Sequence, residues 1–127
     1  MDKKRLLIAD DAMEIRMLVR AMLAADYEII EATDGEEAVK AAVEKMPEIV
    51  LMDIMMPVLD GIQATLMIKN NPKTKDIPVI MLTALSDSDS VLTSYDYGAD
   101  HYLVKPFDRA KLLKAIDIVE KPKERNL

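Results

Sequence analysis

The chain has 127 residues, half of them hydrophobic and 31% charged, with a net charge of −6, one Phe, no Trp and no Cys. That length fits one domain with a single sizeable core, and the composition is globular rather than disordered. A disulfide framework and a thiolate metal site are excluded, and the acidic balance speaks against nonspecific binding to nucleic acid.

No apolar run approaches the ~20 residues of a membrane span and no secretory leader is evident, so a cytoplasmic location without membrane contact is expected. The ten methionines are expected mainly as gap-fillers of an aliphatic core.

Lys3-Lys4-Arg5 leads into Leu6-Leu7-Ile8-Ala9, a short apolar run of the kind buried on both faces of a parallel sheet, which stops at Asp10-Asp11. Ile15, Leu18, Val19 and Met22 then fall at i, i+3, i+4 and i+7 of an amphipathic helix over 12–25. Residues 28–32 read as a strand. Asp34, three residues before Glu37, resembles a capping box opening a helix with Val39, Ala42, Val43 and Met46 inward and Pro47 as its stop.

Ile49-Val50-Leu51-Met52 is a third buried-type strand. It ends near Asp53, because Pro57 cannot donate a ladder hydrogen bond and Asp60-Gly61 is turn chemistry. Asp60 is expected to cap a helix from Gly61 to about residue 70. After a polar loop, Ile77-Pro78-Val79-Ile80-Met81-Leu82 runs on as a fourth strand with Thr83 at its carboxyl end. Residues 86–90 open a short helix over 91–97 that Gly98 stops, and they lack the further acidic ligand and glycine of a calcium loop. His101-Tyr102-Leu103-Val104 is the last strand. Lys105-Pro106 follows, and Asp108 caps a final helix with Leu112, Ala115, Ile116 and Val119 on its inner face. Residues 1–120 form one domain, and 121–127 a charged tail or the start of a linker.

Strands alternating with helices imply a doubly wound α/β domain, a five-stranded parallel sheet with five helices on both faces. Four strand ends carry chemistry: Asp10-Asp11, Asp53, Thr83 and Lys105. They meet at one edge if the first and third strands are neighbours, as in the flavodoxin-like order 2-1-3-4-5, whose ligands bind at that edge. Carboxylates crowded there repel one another, a pair ~4 Å apart by about 4 kcal/mol at an effective dielectric of 20. Such a cluster requires a cation. An all-oxygen set suits a hard ion, and one that keeps waters for a phosphate suits Mg²⁺. Lys105 adds a second positive charge and Thr83 a hydroxyl donor. A carboxylate nucleophile, a divalent metal, a lysine and a hydroxyl are the parts of aspartyl-phosphate chemistry. A salt-bridged cluster capping the sheet would explain a pair of these residues, but not five on four strand ends.

With these residues assembled, the chain resembles the receiver domain of two-component response regulators, chemotaxis-type single-domain regulators included. The resemblance rests on Ile8-Ala9-Asp10-Asp11, Met52-Asp53-Ile54-Met55-Met56-Pro57-Val58-Leu59-Asp60-Gly61, Leu82-Thr83-Ala84 and Gly98-Ala99-Asp100-His101-Tyr102-Leu103-Val104-Lys105-Pro106-Phe107. It implies that Asp53 is the phosphoacceptor, taking a phosphoryl group from a sensor histidine kinase or phosphotransfer protein. It implies Mg²⁺ held by Asp10, Asp11, Asp53 and the backbone carbonyl of Met55, with Thr83 and Lys105 on the phosphoryl group. Tyr102 matches the family's switch aromatic, which turns inward as Thr83 moves toward the phosphate. The bond before Pro106 is typically cis in such proteins.

Met55 and Leu85 stand where family members often carry polar groups beside the attacking water, so slow self-dephosphorylation is expected. Tyr95, Tyr97, Tyr102 and Phe107 suggest a partner surface on the fourth helix, last strand and last helix. The expected function is a phosphoprotein switch for signal transduction, acting on no separate substrate and reporting to an output partner or an effector domain. The alternatives are a Mg²⁺-dependent phosphatase with an aspartyl nucleophile, disfavoured because Met55 replaces a second acid–base carboxylate, and a pseudo-receiver that only binds protein.

Overall fold

The computed structural model describes residues 3–84 and 98–120. Five parallel strands, β1 (Lys4–Ala9), β2 (Tyr27–Ala32), β3 (Ile49–Asp53), β4 (Val79–Ala84) and β5 (His101–Lys105), form one sheet in the order β2-β1-β3-β4-β5. Four helices are described: α1 (Met13–Leu23), α2 (Gly35–Lys45), α3 (Gly61–Lys69) and α4 (Arg109–Glu120). The flavodoxin-like order expected above is therefore the observed one. The helix expected over 91–97 and the tail at 121–127 lie outside the described residues.

The alternation of side chains along each strand sorts the core into two layers. Leu7, Ala9, Val50, Met52, Val79 and Met81 meet α2 and α3 through Ala38, Ala42, Ala64 and Ile68. On the other face Leu6, Ile8, Ile49, Leu51, Ile80 and Leu82 meet α1 and α4 through Val19, Leu23, Leu112, Ala115 and Ile116. β3 lies in the middle and is buried along its whole length, which is why its sequence shows an apolar run rather than alternation.

Three helices begin as their sequences imply. Asp34, Asp60 and Asp108 each accept a hydrogen bond at 2.8 Å, from the backbone N–H of Glu37, Gln63 and Lys111 respectively. The box at α2 differs in one respect: Glu37 reaches back to the N–H of Thr33 at 2.7 Å, one residue before the cap. No side chain caps α1; its first residues lean on the Asp10 carboxylate, which accepts from Ala12 N–H at 2.9 Å.

Other expectations are corrected. Leu18 is exposed, because α1 turns Val19 and Leu23 to the sheet. Met46 is not on the inner stripe of α2. It is the left-handed C-cap (φ 48°), which carries its side chain off the helical row and into solvent. Phe107 is buried against the α1–α4 layer and is no part of a surface. Five of the ten methionines (Met13, Met17, Met46, Met55 and Met67) are exposed rather than core-filling. No helix among the described residues is long and apolar enough to cross a membrane.

Candidate functional site

Register places the site. β1 pairs Ala9 with Met52, so Asp10 and Asp53 come next on neighbouring strands; β3 pairs Asp53 with Leu82, and β4 pairs Ala84 with Lys105. Four strands therefore deliver Asp10, Asp53, Thr83 and Lys105 to one edge, and the turn after β1 adds Asp11. Carboxylate oxygens of Asp10, Asp11 and Asp53 lie within 4.8 Å of one another; Asp10 and Asp53 are buried and Asp11 is exposed. Lys105 Nζ donates to Asp10 Oδ2 at 2.9 Å and to Asp53 Oδ1 at 3.3 Å.

Burial and the adjacent Asp10 charge push the Asp53 carboxyl up to about 6, against the pull of Lys105. Burial also opposes the charge on Lys105, but its bonds to Asp10 and Asp53 outweigh that, and its ammonium is held above the usual range. Three carboxylates against one ammonium leave a net negative cluster that reaches solvent at Asp11. With only oxygen donors and an opening at Asp11, the set fits a hard divalent cation such as Mg²⁺.

Thr83 is buried, and its hydroxyl donates to the Ala84 carbonyl at 3.1 Å. Tyr102 stands on β5 with 37% of its surface exposed, its ring centroid 5.7 Å from that of His101. The Lys105-Pro106 bond is cis.

The loop from Asp53 to α3 is tightly built. Gly61 N–H donates to the Ile54 carbonyl at 2.8 Å, and a Cβ at Gly61 would collide with the Asp53 carbonyl. Only glycine lets α3 start this close to the end of β3. Val58 has φ 71°, and Leu59 N–H donates to the Pro57 carbonyl at 2.8 Å, which closes a γ-turn over Val58. A β-branched residue is strained in that conformation. Nothing in the sequence marks Val58 for it, whereas the need at Gly61 was legible only as turn chemistry. Met55, within this loop, is 68% exposed.

Comparison with known proteins agrees with this geometry. The family described as response regulator receiver domain matches residues 6–117. The chain is similar to the probable transcriptional regulator ycf27 of Porphyridium aerugineum, 41% identical over 113 residues that cover 88% of this chain and 46% of that protein. It is 37% identical over 117 residues to the phosphate regulon transcriptional regulatory protein PhoB of Pseudomonas aeruginosa, covering 91% and 51%. The chain thus spans about half the length of the curated relatives it matches. Among solved structures, the chemotaxis response regulator CheY4 of Vibrio cholerae superposes with a TM-score of 0.85 at 31% identity, covering 92% of this chain and 98% of that one. The receiver domain of the sensor histidine kinase PA1611 of Pseudomonas aeruginosa, solved with a magnesium ion in its active-site cleft, gives 0.83 at 31% identity, covering 93% and 95%.

Proposed function

The chain belongs to the response regulator receiver family, and on that premise we propose that it is a switch in which Asp53 accepts a phosphoryl group from a sensor histidine kinase or phosphotransfer protein. The observation that carries this reading is the meeting of Asp10, Asp11, Asp53 and Lys105 at one sheet edge, with Asp53 buried and its Oδ1 3.3 Å from the lysine ammonium.

An Asp53 oxygen attacks phosphorus while the bond to the donor breaks, and the electron pair of that bond leaves with the imidazole nitrogen of a phosphohistidine. With a pKa of about 6, the carboxylate is mostly ionised at neutral pH and ready to attack. Lys105 transfers its ion pairing from the two aspartates to a phosphoryl oxygen, and the Thr83 hydroxyl turns from the Ala84 carbonyl to another. Asp10, Asp11, Asp53 and the Met55 carbonyl would hold Mg²⁺, which supplies neutralising charge to the phosphoryl oxygens.

The output falls to the β5–α4 face. A groove there is lined by Tyr102, Val104, Lys111, Lys114 and Ile118, and inward rotation of Tyr102 would reshape it. The partner is a separate protein or an effector domain like those of the longer transcriptional relatives. A cytoplasmic setting accords with a kinase donor. Exposed Met55 speaks against the phosphatase alternative, since it supplies no second acid–base carboxylate.

The test is intact mass after incubation with Mg²⁺ and acetyl phosphate. One added phosphoryl group is expected in the wild type, none without Mg²⁺ and none in Asp53→Asn. No adduct, or an undiminished one in the variant, would leave a pseudo-receiver or another acceptor as the better reading.

A further inference from the structure

Asp10 is held at every polar group. Its N–H donates to the Ala32 carbonyl at 3.0 Å, Oδ1 accepts from Ala12 N–H at 2.9 Å and Oδ2 accepts from Lys105 at 2.9 Å. Its carbonyl oxygen accepts from Nη1 of Arg16 at 2.9 Å, a contact with no part in the phosphotransfer steps above. The same guanidinium donates Nε–H to Glu31 Oε1 at 2.8 Å, and Arg20 closes on Glu31 Oε2 from the other side at 2.7 Å. The carboxylate of Glu31 is held below its usual range, chiefly by Arg20 and also by Arg16, against the effect of burial.

We propose that Arg16 is a positioning residue for Asp11, acting through the peptide between Asp10 and Asp11. The Asp10 carbonyl, the Asp11 N–H and the Asp11 Cα belong to one rigid plane, so the group that holds the carbonyl also holds the atom from which the Asp11 side chain departs. Asp11 is the exposed member of the acidic cluster, on a turn rather than a strand, and sheet hydrogen bonds do not set its orientation. Arg16 does this because its planar fork meets two acceptors at once: a strand-end carbonyl and a carboxylate anchored on β2. A lysine would deliver the same charge to only one of them. Arg16 and Arg20 share the single charge of Glu31, so the geometric effect assigned to Arg16 is read from a substitution that keeps its charge. This inference rests on the reading of the cluster as a Mg²⁺ site.

The test is the Mg²⁺ dissociation constant measured by calorimetry on the unphosphorylated chain, with thermal melting alongside. Arg16→Lys keeps the charge and is expected to weaken Mg²⁺ binding about tenfold, the low end for a residue that orients a ligand without touching the metal. Glu31→Gln, a milder change that loosens the fork, is expected to shift the constant in the same direction by less. Arg20→Gln breaks the same clamp without touching Asp10, so its constant is expected to stay at the wild-type value. Equal weakening in Arg16→Lys and Arg20→Gln would show a merely structural role and overturn the proposal, as would unchanged binding in both Arg16→Lys and Glu31→Gln. Absence of Mg²⁺ binding in the wild type would overturn the cluster's reading as a metal site, and this role with it.

Discussion

Lys105 stands closer to Asp10 than to the proposed nucleophile, 2.9 Å against 3.3 Å. Its strongest bond therefore supports the fully buried carboxylate and leaves Asp53 only partly compensated. Removing one partner of a buried ion pair leaves an uncompensated charge, which is strongly destabilising. Lys105→Met is expected to lower the unfolding free energy of the metal-free chain by about 2–4 kcal/mol. Millimolar Mg²⁺ should restore part of that loss by replacing the missing cation. Urea unfolding with and without Mg²⁺ checks both; an unchanged midpoint in the variant would refute the role assigned to Lys105.

The same imbalance gives a pH dependence. Asp53 titrates near 6 in the folded metal-free chain, against an ordinary value of 3.8. Between these values the native state binds the extra proton and the unfolded state does not. Stability from this group is therefore lowest above pH 6 and rises as pH falls toward 4. Asp53→Asn is expected to stabilise the metal-free protein at pH 7 by about 1–3 kcal/mol and to flatten this trend. A carboxyl NMR titration, with urea midpoints at about pH 4.5 and about pH 7 for the protonated and ionised states, reads it. An Asp53 pKa near 4 would remove the basis for the expected gain.

Val58 at φ 71° stores strain beside the site. Relief of about 1–3 kcal/mol, less about 0.4–1 kcal/mol for the freer unfolded chain, leaves Val58→Gly more stable by roughly 1 kcal/mol. Its exposed side chain (74%) gives up little packing in exchange. Chemical denaturation is sufficient to check this, and a loss of stability would mean that the valine makes up for its backbone through contacts.

On the proposed reading, Met55, 68% exposed, puts an apolar side chain where a polar one would orient water for hydrolysis. The phosphorylated chain is expected to persist for minutes or longer. Met55→Glu should shorten that lifetime about tenfold, below the full reach of well-positioned acid–base catalysis. Decay of the phosphorylated mass after removal of the donor measures both, and a wild-type lifetime of seconds would contradict the expectation.

Much of this architecture was legible in the sequence, for identifiable reasons. Strands covered on both faces leave uninterrupted apolar runs, as at 49–52, and the helix caps Asp34, Asp60 and Asp108 act within three residues of themselves. The four strand ends were readable because a parallel sheet brings like ends to one edge. What escaped depended on rotation or on distant partners. Periodicity placed Leu18 on a stripe whose centre lies at Val19 and Leu23. It also carried Met46 past the point where the helix had ended. The contact of Arg16 with Asp10 depends on a side-chain conformation, which helical spacing does not encode. The aromatic character of Phe107 suggested a surface, but α4 folds over it.

The bond between Lys105 and Asp10 joins residues 95 apart in the chain. During synthesis Asp10, Asp11 and Asp53 leave the ribosome long before β5, and N-terminal segments can begin to collapse first. Such a nascent chain carries three mutually repelling carboxylates without the lysine that holds two of them, and its sheet lacks an edge strand. Competence to receive a signal thus arrives with the last strand, so the site itself certifies that the chain has been made and folded through to β5.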